Sequence, residues 1–258
     1  MLHYQAYRHA SSDTWVTFVH GAGGSLSVWY KQVKDFAANF NVLLIDLRGH
    51  GRSAGTEVRN GSAYSFEQIG TDVLELLDEL KIEKTHFVGI SLGTIVIREL
   101  AERYPERVQS MTLGGAVMKL NVRSRVLVVF GNMVKSMVPY MFLYKLYAYI
   151  LLPKRNHRES RMLFIREAKR LARKEFMKWF GMTSELGPLL RLFRAKETGI
   201  PTLYLMGEED HMFLPSVKKL VEKHSTSFLA VIPQCGHVVN VEKPLAFNQI
   251  AIDFIAKR

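Results

Sequence analysis

The sequence predicts an α/β protein: a mostly parallel central sheet with helices on both faces and a helical cap inserted into it. Three observations predict this. Short apolar runs of strand length alternate with segments of helical periodicity. Those runs are apolar at nearly every position, as strands buried on both faces are. From residue 118 to 196 the alternation gives way to helical patterns without a strand, and afterwards it resumes. A chain of 258 residues suffices for one domain with an inserted subdomain. The expected division is a core of residues 1–117 and 197–258 and a cap of residues 118–196.

The elements read in order as follows. Trp15–Val19 is a strand running into a glycine-rich turn, and residues 42–46 form a second strand. Phe66, Ile69, Val73, Leu76, Leu77 and Leu80 have the spacing of an amphipathic helix. Residues 86–89 form a third strand, Leu92–Arg103 a helix, and residues 111–114 a fourth strand. After the cap come strands at 201–206 and 228–232, with helices at 215–223 and 245–256. Alternation of this kind implies βαβ units.

Gly89, Ser91 and Gly93 make a G-x-S-x-G directly between a strand and a helix. In that context the serine sits on a tight turn that lifts its hydroxyl off the sheet, and the helix behind it offers a free N–H and a positive dipole end. Acyl transfer needs two backbone N–H donors for the developing oxyanion. Leu92, after the serine, supplies one, and Ala22, after His20-Gly21, supplies the other. Asp210 ends one later strand and His237 follows another. The order Ser91, Asp210, His237 suits a nucleophile, an orienting acid and a base, all at the carboxyl ends of strands. Glu208 and Glu209 rival Asp210, which is preferred because it stands farther past the strand end.

On these motifs, together with Asp46-Leu-Arg-Gly-His-Gly-Arg-Ser53, Gly207-x-x-Asp210-x-x-x-x-Pro215 and Gly236-His237-x-x-x-x-Glu242-x-Pro244, the chain resembles the α/β-hydrolase superfamily. It is similar to the small esterases, lactonases, C–C bond hydrolases and cofactor-free haloperoxidase-like enzymes. The resemblance spans residues 15–117 and 200–256. It implies the fold, the triad Ser91–His237–Asp210 and the oxyanion hole, with no metal or cofactor. Serine as nucleophile argues against epoxide hydrolases and haloalkane dehalogenases. The expected reaction is hydrolysis of an ester or related acyl compound, a small molecule with a hydrophobic group, through an acyl-enzyme on Ser91. The alternatives are C–C bond cleavage by the same triad and a slow-turnover receptor or regulatory protein.

Other residues read as structural. His20 shapes the oxyanion loop, His50 and Arg48 fix a glycine-rich loop, His211 is a rim residue and Cys235 is an inert buried thiol. The apolar stretch 126–152 is expected to cover the pocket, with Met118, Phe130, Met133, Met141 and Phe142 among its lining.

Charge is uneven. Of the net +11, residues 119–196 hold eighteen Lys/Arg against four Asp/Glu, a net +14, leaving the remainder at −3. Such asymmetry calls for an acidic partner. The basic segment resembles no nucleic-acid module, so nucleic acid is not expected. Two readings remain, steering of an acidic substrate and peripheral contact of the cap with an anionic membrane. In the stretch 155–179, Phe164, Ala168, Leu171, Ala172, Phe176 and Trp179 form one helical face amid basic residues, and that face is either a buried stripe or a lipid-facing one. One cysteine excludes an intrachain disulfide, and residues 1–13 hold no apolar signal core, so a cytoplasmic protein, membrane-peripheral at most, is expected.

Overall fold

The structure, a computed structural model, describes residues 1–55 and 64–258. Seven strands form one sheet: β1 (Tyr4–Tyr7), β2 (Trp15–Val19), β3 (Asn41–Ile45), β4 (Thr85–Ile90), β5 (Val108–Gly114), β6 (Thr202–Gly207) and β7 (Ser227–Ile232). Their spatial order is β1-β3-β2-β4-β5-β6-β7. Every neighbouring pair is parallel except β1 with β3, which runs antiparallel from Tyr4 opposite Ile45 to Tyr7 opposite Val42. The β1 segment, YQAY, carries no apolar run. It is an edge strand recruited by its partner's backbone, and its residues give no signal of their own.

Six of the seven strands are those the sequence predicts, with ends shifted by up to three residues. Their apolar runs are explained by which way successive side chains point. Val42 and Leu44 enter one core with Phe36, Phe247 and Phe254, while Leu43 and Ile45 enter the other with Phe66, Val73 and Leu100. Helices α1 (Tyr30–Ala37) and α11 (Pro244–Ile255) cover the first face. Helices α2 (Phe66–Glu79) and α3 (Leu92–Arg103) cover the second, together with α9 (Leu214–Val221). Ser65 caps α2 by accepting from the Gln68 N–H, the start signal S-x-x-Q. α3 is sandwiched so deeply that Arg98 is 2% exposed, and it pairs with Glu102 one turn on.

Between β5 and β6 lie five helices: α4 (Val122–Val134), α5 (Tyr140–Leu151), α6 (Arg158–Ala168), α7 (Arg173–Gly181) and α8 (Leu186–Ala195). They hold a small core of their own, Leu143, Tyr144, Ala168, Leu171, Phe176 and Phe180. Bonds tie them to the loops at the strand ends: Trp179 Nε1 donates to the Arg48 carbonyl at 3.0 Å, Ser25 Oγ to Glu167 at 2.8 Å, and the Phe66 N–H to Glu185 at 3.1 Å. The amphipathic face expected at 155–179 is divided between α6 and α7, with a break at residues 169–172. Its aromatic and aliphatic members, Phe164, Ala168, Leu171, Phe176 and Trp179, turn inward and Ala172 is exposed. That stripe is internal packing, and the lipid-facing reading of it is corrected. α10 (Val239–Glu242) is a single turn before α11.

Candidate active site

Ser91 stands between β4 and α3 with φ 53° and ψ −119°, a conformation rare outside glycine. Its neighbours hold it there. The Ser91 N–H donates to the Gly114 carbonyl at 3.0 Å, and Thr94 donates to the Ser91 carbonyl through its N–H at 2.9 Å and its hydroxyl at 2.6 Å. The turn leaves no room for a side chain at Gly93, whose Cβ would strike the Val19 and His20 carbonyls. Gly21 is confined less severely, with a hypothetical Cβ 3.2 Å from Ser91 Cβ. Strain of this kind persists where the surroundings over-determine it.

The structure brings the three separated residues together. His237 Nε2 lies 2.9 Å from Ser91 Oγ, and His237 Nδ1 lies 2.8 Å from Asp210 Oδ2. The other Asp210 oxygen accepts the Phe213 N–H at 3.1 Å, and the Phe213 ring packs on the imidazole with centroids 5.2 Å apart. Asp210 and His237 are both 3% exposed. With Nδ1–H donated to the carboxylate, Nε2 is the nitrogen free to take a proton from Ser91. The loop carrying His237 is fixed by Glu242, which accepts the Gly236 N–H at 2.7 Å and thereby accounts for the G-H-x-x-x-x-E spacing.

The rival acids face elsewhere. Glu209 bonds Lys154 at 2.7 Å and His157 at 2.7 Å, and the Lys154 and Asn156 hydrogen bonds hold its carboxyl down at about 2. Glu208 accepts the Gln234 N–H.

Ala22 lines the cavity beside Ser91, and Leu92 opens α3, where a helix's first N–H groups have no partner within the helix. The loop carrying Ala22 rests on two histidines. His20 Nε2 accepts the Leu47 N–H at 3.0 Å while Nδ1 donates to the Gly21 carbonyl at 2.8 Å, and His50 Nε2 accepts the Gly23 N–H at 3.0 Å. Burial lowers both, His50 to about 3. They are therefore neutral and serve as acceptors at neutral pH. Burial pushes the Cys235 thiol up to about 12, which keeps it unreactive.

The cavity over Ser91 is lined by Val28, Ala148, Leu151, Leu152, Leu163 and Phe164, with Ser160 and Glu167 as polar members from the helical insertion. None of the five lining residues expected from sequence is among them. Met118 is fully buried in the sheet core near Tyr204, and Met141 packs in the insertion's own cluster. Phe130, Met133 and Phe142 point to solvent. The reason is rotational: α5 turns Leu143, Tyr144 and Ala148 inward, which puts Phe142 outside, and no residue of α4 lines the cavity.

Glu167 escaped the sequence reading. It is 3% exposed, one oxygen accepts from Ser25 Oγ, and the other has no hydrogen-bond partner among the described residues. The available signal was that it is one of four acids among eighteen basic residues, but its direction depends on how α6 packs.

The profile of the family described as alpha/beta hydrolase fold matches residues 14–145. RutD of Acinetobacter baylyi, named as a candidate carbamate hydrolase, is 28% identical over 270 residues, covering 98% of each chain. A 3-oxoadipate enol-lactonase of the same organism is 34% identical over 119 residues, 46% of this chain and 43% of that protein. Among solved structures, the enol-lactonase of Burkholderia xenovorans LB400 superposes with a TM-score of 0.80 at 22% identity, covering 99% of this chain and 96% of that one.

Proposed function

The chain belongs to the alpha/beta hydrolase fold family, a family of hydrolases, and on that premise we propose that it cleaves an ester or related acyl compound through an acyl-enzyme on Ser91. The observation that carries this reading is the chain of two hydrogen bonds from Asp210 through His237 to Ser91. His237 Nε2 takes the hydroxyl proton as Ser91 Oγ bonds to the carbonyl carbon. Asp210 holds the tautomer and stabilises the imidazolium. The N–H groups of Ala22 and Leu92 receive the oxyanion. As the intermediate collapses, the bond to the leaving group breaks and His237 returns the proton to it. Water, deprotonated by the same imidazole, then hydrolyses the Ser91 ester and regenerates the hydroxyl. The carbamate and enol-lactone named in the relatives are also acyl compounds, which fits this class.

The lining narrows the substrate. The cavity is about 60 Å³, small beside pockets of roughly 300–1,000 Å³ that enclose a drug-sized ligand. A second cavity of about 610 Å³ adjoins it at Val28 and Leu163, open to Tyr30, Met162 and Ile165. A short apolar acyl group suits the inner space, and a longer substrate extends past Val28 and Leu163. Glu167 adds a demand. Its carboxylate is ion-paired with Arg166 at 3.5 Å and Arg170 at 3.4 Å, but the oxygen toward Arg166 makes no hydrogen bond, which favours a hydrogen-bond donor on the substrate.

A fluorophosphonate probe and a series of p-nitrophenyl esters test the reaction class. The wild-type protein labels and hydrolyses short esters, and Ser91→Ala, folded by circular dichroism, does neither. Undiminished labelling of the folded variant would overturn the assignment.

A further inference from the structure

Helix α4 carries an apolar face that no described residue covers. Val122, Val126, Val129 and Met133 recur at helical spacing, Met137 follows in the turn past the helix end, and Val122, Met133 and Met137 are 77%, 71% and 83% exposed. Phe130 lies beside them, 42% exposed. The neighbouring α5 packs on α4 through Tyr147, whose hydroxyl donates to the Leu127 carbonyl, and it adds exposed Phe142, Tyr149 and Ile150. Scattered exposed apolar residues are ordinary, but a continuous helical row is not.

The charges around this face are of one sign. The chain has no Asp or Glu between Glu106 and Glu159. Within that interval Arg123, Arg125, Lys145 and Arg155 are exposed and form no salt bridge among the described residues. An apolar row flanked only by cations complements one kind of surface, acyl chains beneath anionic headgroups. No described helix is long and apolar enough to cross a membrane, so contact is from one side. An acidic substrate in the second cavity would meet Lys31, Arg166 and Lys169, but Arg123, Arg125, Lys145 and Arg155 line neither cavity and are left for another surface. Helix α5 belongs to both surfaces, with Tyr149 and Ile150 exposed and Ala148 and Leu151 lining the cavity.

We propose that α4 and α5 form a docking face for an anionic lipid surface, with α4 lying in the plane of the interface. The docking itself does not depend on the hydrolase reading.

The test is co-sedimentation of the full chain with phosphatidylcholine vesicles containing or lacking 30% phosphatidylglycerol, at about 25 and 300 mM salt, alongside sedimentation velocity without lipid. The expected result is binding to the anionic vesicles at low salt, reduced at least fivefold at high salt, by Arg123→Glu with Arg125→Glu, or by Met133→Ser with Met137→Ser. Lys81→Glu with Lys84→Glu, exposed charges of the loop before the amino end of β4, should change it less than twofold. Negligible binding to both vesicle types overturns the proposal. So does an equal loss from the Lys81 and Lys84 pair, which would make the attraction one of bulk charge. A dimer that Met133→Ser with Met137→Ser dissociates, without vesicle binding, overturns it in favour of a second copy of the chain.

Discussion

The strand ends and the helical insertion above them differ in what holds their polar groups. At the ends of β4, β6 and β7, each polar atom of the Ser91–His237–Asp210 chain meets a partner fixed by backbone, and the rings of His20 and His50 are spent entirely on loop N–H and carbonyl groups. In the insertion, a buried carboxylate oxygen of Glu167 has an ion pair with Arg166 at 3.5 Å but no hydrogen bond, and a row of apolar side chains is left uncovered by the described residues. A fully satisfied network is rigid and suits bond-making, whereas unsatisfied groups suit contact with something outside the chain. The difference separates reaction from recognition within one molecule.

The largest expected effect breaks the satisfied side. Asp210→Asn leaves the geometry but favours the wrong imidazole tautomer, and should lower kcat on the order of 10⁴-fold. Glu209→Gln, which touches Lys154 and His157 instead, should lower it only severalfold. Ester hydrolysis by the two variants decides, and equal losses would dissolve the contrast.

Acid should loosen the same side. His50 falls from an ordinary 6.5 to about 3 in the fold, so between those values the unfolded chain binds more protons. Its contribution is complete above about pH 6.5 and is lost as pH drops toward 3, about 2 kcal/mol at pH 5. Denaturant unfolding at pH 7 and 5 measures this, and His50→Asn should make the pH dependence shallower.

A smaller effect tests the insertion. Glu167→Gln keeps an acceptor for Ser25 but removes the charge. The ratio of kcat/KM for an aminoacyl over an unsubstituted p-nitrophenyl ester of equal length should fall about tenfold. An unchanged ratio would mean that Glu167 only fastens α6 to the core. The smallest effect is at the joint itself. Trp179→Phe removes the indole N–H bond to Arg48 and should cost about 1 kcal/mol, roughly 2–4 °C in Tm by calorimetry.

The grouping of Ser91, His237 and Asp210 was legible because its signals are local. A glycine on each side of Ser91 and the strand-to-helix setting follow from what the turn can accommodate, and the positions of Asp210 and His237 follow from strand ends. The lining was not legible. Met118, Phe130, Met133, Met141 and Phe142 satisfy the composition of a pocket wall as well as Leu151, Leu152, Leu163 and Phe164 do. When a helix is apolar on most of its circumference, as α5 is, the sequence leaves its rotation open.

By itself the sequence determined the alternating strands, the placing of Ser91, Asp210 and His237 at strand ends, and the concentration of positive charge in residues 119–196. Side-chain alternation and turn sterics act over a few residues, so they are written in the local order. Only the tertiary structure decided that β1 closes the sheet edge, that the stripe of α6 and α7 is internal, that α4 is the helix left bare, and that Glu167 faces the cavity. Each of these depends on which of several apolar surfaces is buried against which other. That choice is set by the packing of whole elements, because burial rewards any well-fitting contact and distinguishes among them only by shape.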